Sequence, residues 1–122
     1  METKDISQAF LYHLQWKSRL RDFVNGRGDF DIAEISPDGC SLGKLLSSDE
    51  MKQYGSNARR EELVRTHNEL HDMAKRVYDL KIMGQDIAAL QELSNITHSS
   101  MEIHSLLTAM NIISESDRFV LQ

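Results

Sequence analysis

A chain of 122 residues has room for one domain and one hydrophobic core, with little left for a second. Its 40% apolar and 27% charged residues are ordinary proportions for a globular protein. The net charge of −5 argues against a nucleic-acid backbone or an anionic membrane surface as partner. No apolar run approaches the roughly 20 residues needed to span a bilayer, and the N-terminus lacks the pattern of a signal peptide, so the chain is expected in the cytoplasm. Its single cysteine, Cys40, excludes an internal disulfide.

In chain order, the first predicted element is a helix from about Asp5 to Val24. Ile6, Phe10, His13, Trp16, Leu20 and Phe23 recur there at three- and four-residue steps. Asn25-Gly26 ends it, because both residues tolerate the left-handed conformation that closes a helix. A connection ending in Ser36-Pro37-Asp38-Gly39 follows, then a short helix over Ser41 to Leu46 and a cap for a further turn or two at Ser47 to Glu50. A second long helix starts near Ser56 or Asn57, carries Leu63, His67, Leu70, Ala74 and Val77 on one stripe, and ends at Gly84. The last helix is predicted from about Asp86 to Ser114, with Leu93, Ile96, Ser100, Ile103, Leu107 and Met110 at heptad spacing.

Nothing alternates with period two over enough residues to suggest a sheet. The expected fold is all-α: an antiparallel four-helix bundle with a short extra helix carrying the cysteine, one domain over residues 1–122. The long apolar seam of the last helix exceeds what a small bundle is expected to cover, which predicts a homodimer. The apolar tail from Phe119 to Gln122 is a second candidate for docking on a partner.

The chemistry centres on His67-Asn68-Glu69-Leu70-His71. Two imidazoles four residues apart on a helix project from one face toward a common point, a half-site for a tetrahedral metal. His67 lies in register with the apolar stripe of its helix and His13 with that of the first, so both point inward. A buried histidine needs partners for both ring nitrogens, and several converging ones are most economically explained by a metal. Cys40 opens the short helix, whose amides favour a thiolate, and completes three imidazoles and one sulfur. Four protein ligands close the coordination shell and leave no position for an activated water.

The motifs His13-Leu14-Gln15-Trp16, Cys40-Ser41-Leu42-Gly43-Lys44-Leu45 and His67-x-x-x-His71, in that order across residues 12–71, resemble the bacterial chemoreceptor zinc-binding domain. That resemblance implies a helical-bundle homodimer with a tightly held Zn2+ on His13, Cys40, His67 and His71. Trp16, Leu42, Gly43 and Leu45 are then packing residues of the boxes. It further implies signal transduction, on chemoreceptors or on diguanylate cyclases that make cyclic-di-GMP, in response to zinc or to oxidants such as hypochlorous acid.

Asp38 and Glu69 are candidates to orient a ligand ring from behind. His98 and His104, six residues apart on the last helix, point in different directions and are assigned to solvent or to an interface. A di-iron bundle wants two Glu-x-x-His helices and a zinc hydrolase wants His-Glu-x-x-His; here Asn68 follows His67. The expectation is a regulatory module with no enzymatic activity, and the alternative is a structural zinc that staples a dimerising adaptor.

Overall fold

The computed structural model describes residues 3–37 and 40–112. They form four α-helices: α1 (Thr3–Val24), α2 (Ser41–Leu46), α3 (Asn57–Ile82) and α4 (Asp86–Ala109). Two 3-10 segments, Ile32–Glu34 and Asp49–Tyr54, flank α2, and there is no strand among the described residues. The all-helical bundle expected from the sequence is what forms. It has three long helices, with the short α2 filling a fourth position against α1 and α3.

Each long helix stops for a readable local reason. At Gly26 (φ 77°) the Gly26 N–H bonds the Phe23 carbonyl and the Arg27 N–H reaches back to Asp22, closing α1. Gly84 (φ 77°) ends α3 in the same way, through Gly84 to Lys81 and Gln85 to Leu80. At its other end, the Ser56 hydroxyl accepts from the Arg59 N–H and caps α3. The end of α4 departs from expectation: the helix stops at Ala109, not near Ser114. Asn111 takes φ 59°, the Asn111 N–H bonds Thr108 and the Ile112 N–H bonds Leu107, so an asparagine does there what glycine does elsewhere.

Paired side chains fix the helix directions. His13 of α1 meets His67 and His71 of α3, and further along both helices Phe23 stacks on Tyr78 with ring centroids 5.4 Å apart. Both pairs advance together, so α1 and α3 run the same way. α4 returns antiparallel to both, with Phe10 beside His104 at 6.0 Å, the Ser7 hydroxyl 3.4 Å from the Ile112 carbonyl, and an Arg76–Glu92 ion pair of 3.3 Å near the α3–α4 turn.

The heptad seam of α4 is not left over for a partner. Leu93, Ile96, Ser100, Ile103, Leu107 and Met110 are all buried inside this one chain. The burial of α1 and α3 residues at three- and four-residue steps supplies the facing surface, with Ile6, Phe10, Leu20, Leu63, Leu70, Ala74 and Val77 shut off from solvent. The seam therefore gives no ground for a dimer. The exposed large apolar residues sit elsewhere, among them Ile82, Met83, Ile87 and Leu90 around the α3–α4 turn. The expected docking tail, Phe119 to Gln122, lies outside the described residues.

Truncating the fully buried Ile103 to alanine is expected to cost about 2–4 kcal/mol of stability through lost burial and the cavity left behind. Met101→Ala, one turn-face away and exposed, should stay within about 0.5 kcal/mol of the parent. Urea denaturation of the two variants side by side measures the difference.

Candidate metal centre

Three separate segments deliver the site. His13 sits in the middle of α1, and His67 and His71 occupy successive turns of α3, all three on buried faces. Cys40 is the residue immediately before α2, half-buried, with its N–H on the Pro37 carbonyl and its carbonyl accepting from Lys44. One nitrogen from each imidazole and the Cys40 sulfur all lie within 4.8 Å of one another. The structure thus brings together the four residues singled out from the sequence.

Two of the donor-atom separations are those of a tetrahedral ion. His13 Nε2 lies 3.3 Å from His71 Nε2, and Cys40 Sγ lies 3.5 Å from His67 Nε2. A tetrahedral zinc bonded at about 2.05 Å to nitrogen and about 2.3 Å to sulfur separates its ligand atoms by roughly 3.3–3.6 Å. The tautomer of one ligand is also set. His71 Nδ1–H donates to the Ile35 carbonyl at 2.6 Å, which leaves the Nε2 lone pair of that ring turned toward the cluster.

Electrostatics keep the imidazoles in the form a metal needs. Burial, reinforced by the charges of His71 nearby, pushes the His67 pKa down to about 3. Burial, then His67, His71 and Lys17, holds His13 well below the usual histidine range. His71 is lowered by burial as well, opposed by its bond to the Ile35 carbonyl and by Asp72. Neutral rings with free lone pairs are ligands; protonated ones are not.

Trp16 forms the wall. Its ring centroid lies 4.8 Å from both His13 and His71, and its indole N–H donates to the Glu34 carbonyl at 3.0 Å. Leu42 is fully buried and Leu45 packs half-buried against the core. Gly43 is required for clearance. A Cβ added there would stand 2.8 Å from the Pro37 carbonyl oxygen and 2.9 Å from His67 Cε1. A cleft of about 210 Å³, lined by Tyr12, Arg19, Glu34 and Ser41 among others, leads from the surface to Cys40 and His13.

A family model described as the chemoreceptor zinc-binding domain matches residues 13–78. The match covers more than half of the chain and includes every member of the cluster. The chain belongs to the chemoreceptor zinc-binding domain family. It begins to match at His13 and stops within α3, so α4 completes this zinc-binding domain's core from outside the matched region. No curated protein and no solved structure matches the chain.

Other sequence-based assignments fare differently. Asp38 lies outside the described residues, and Glu69 is exposed. His98 is exposed as expected, but His104 is not: it is buried beside Phe10. Four residues past buried Ser100, it falls on the inward side of α4. Sequence reading also missed the Ile35 carbonyl that holds His71 and the Glu34 carbonyl that holds Trp16. Both are backbone groups, and no side-chain pattern announces them.

Two outcomes follow from this geometry. Gly43→Ala should gain helix propensity of about 1 kcal/mol yet weaken metal binding, because a backbone carbonyl and a ligand ring occupy the space of the new methyl; competition with a chelator reads the loss. The second concerns acid. The unfolded chain protonates its histidines below a pH of about 6.5, while folded His67 resists until about pH 3. The stability of the metal-free protein is thus complete above that upper value and falls as pH drops toward 3, by about 1.4 kcal/mol per pH unit for this residue alone. Urea midpoints of the chelated protein between pH 7.5 and 4.5 should fall at least that steeply, because His13 and His71 add to the effect, and His67→Leu should reduce the slope without abolishing it.

Proposed function

We propose that the chain is a zinc-binding regulatory module, with Zn2+ held by His13, Cys40, His67 and His71, acting in bacterial signal transduction. The observation that carries this reading is the convergence of three neutral buried imidazoles and one thiol within 4.8 Å, in a chain of this family. Zinc bound there supplies a cross-link between α1, α3 and the start of α2, whose presence or absence changes how those elements hold together. Four protein donors leave no position for an activated water, which supports a sensor and not an enzyme.

Cys40 is the responsive ligand in this reading. It is half-buried, lines the cleft, and carries the only thiol in the chain. A thiolate attacked by hypochlorous acid loses two electrons to chlorine, giving the sulfenic acid and releasing chloride. The product is a poorer donor, so oxidation and zinc scarcity converge on one event, release of the α2 segment from His67. The output goes to a chemoreceptor, a cyclase controlling cyclic-di-GMP, or a free-standing partner, in the cytoplasm. No helix among the described residues is long and apolar enough to cross a membrane. Exposed Ile82, Met83, Ile87 and Leu90 give a homodimer a surface to cover.

Elemental analysis should find one zinc per chain, and His71→Ala should abolish stoichiometric retention; zinc held equally by that variant would remove the α3 pair from the site. A sub-stoichiometric pulse of hypochlorous acid should modify Cys40 ahead of the methionines, by mass spectrometry, with zinc released in step. Methionine oxidation with Cys40 intact would end the redox half of the reading and leave zinc sensing, or a structural zinc stapling an adaptor, as the function.

A further inference from the structure

Lys17 stands one helical turn beyond His13 on the buried face of α1, and only 3% of its surface is exposed. Its Nζ has no hydrogen-bond or ion partner among the described residues. Glu34 pairs with Arg19, Asp22 pairs with Arg27, and Asp72, beside His71 in sequence, is exposed, so none of these three carboxylates answers it. Ser100 Oγ and His104 Nε2 of α4 are likewise buried polar atoms without partners among the described residues. An ammonium in such surroundings is costly, and replacing it by an apolar group of similar volume should stabilise the fold. The metal cluster supplies a reason for keeping it. The charge of Lys17 already disfavours a proton on His13, and the same field acts on any cation held there.

We propose that Lys17 is an electrostatic counterweight to the metal: an uncompensated buried cation, one turn from a ligand, that lowers the affinity of the His13–Cys40–His67–His71 cluster for zinc and so sets the point of release. This rests on the reading above that the cluster binds zinc. The same field also ties release to the state of Cys40. With the thiolate intact, the bound ion and its ligands carry a single net positive charge; once sulfur loses its negative charge, the ammonium faces a full dication.

Three forms of the chain test it: the parent, Lys17→Met and Lys17→Gln. Zinc affinity is measured by competition with a chelator, and the stability of each metal-free protein by urea unfolding. Both variants should bind zinc tighter by about tenfold or more, since each removes the charge while differing in polarity. Metal-free Lys17→Met should also unfold at higher urea than the parent. Unchanged or weaker zinc binding in either variant overturns the proposal, as does a less stable metal-free Lys17→Met. A parent that gives a flat zinc titration, alike in all three proteins, defeats the metal reading itself and is recognisable as that failure.

Discussion

Because α1 and α3 run in the same direction, the chain between them must travel back along the length of the bundle before α3 can begin. That constraint organises the rest. Descending from the end of α1, the connection packs Phe30 near Phe23 and Trp16, places the Glu34 carbonyl on the Trp16 indole, and sets the Ile35 carbonyl on His71. It then brings Cys40 to His67 and passes Gly43 over the same ring, before Gly55 reaches Met110 at the far end of α4. A short antiparallel hairpin of α1 and α3 would have left the imidazoles facing one another with no segment crossing them. The long return supplies the fourth ligand, fixes the tautomer of another, and closes the site from outside.

The same path explains why the sequence was legible where it was. Apolar stripes and glycine stops predicted three long helices to within a few residues, because the burial of one face and a left-handed terminus are written in side-chain types. The His67–His71 pair and the inward register of His13 could be read for the same reason: they ride on regular helices. Asn111 hid the end of α4 because asparagine closes helices less often than glycine does. The seam from Leu93 to Met110 was legible as apolar but not as satisfied, since what covers a stripe depends on other helices. Backbone acceptors such as the Ile35 carbonyl have no letter of their own, and a lysine in register with an apolar stripe, as Lys17 is, does not tell by its letter whether its ammonium reaches water.

The bundle also divides its labour. The apolar core shared by α3 and α4 contains no ligand beyond His67 and His71, and is complete in hydrophobic terms without any ion. The connection between α1 and α3 is organised differently. Its regular structure amounts to two 3-10 turns and one six-residue helix, and its hold on the bundle runs through Trp16, His71, His67 and a few buried apolar anchors. Stability that is uneven in this way would suit the proposed regulatory role, in which the scaffold persists while one strap changes its hold.

Positions 13, 40, 67 and 71 are spread along the polymer, so joining them would make two long closed loops and one helical turn's short one out of one open chain, the first long loop spanning the end of α1 and the descending connection, the second spanning α2 and the start of α3. In polymer terms a metal held by the cluster would be a reversible knot of contacts that acts as a disulfide network does, by restricting how far the unbound chain can wander. A disulfide answers only to electron supply. Under the proposed function, a closure by zinc would answer to electrons through sulfur, to protons through imidazole and to metal supply through both, so a single short strap would become the place where three different chemical potentials of the cell are compared.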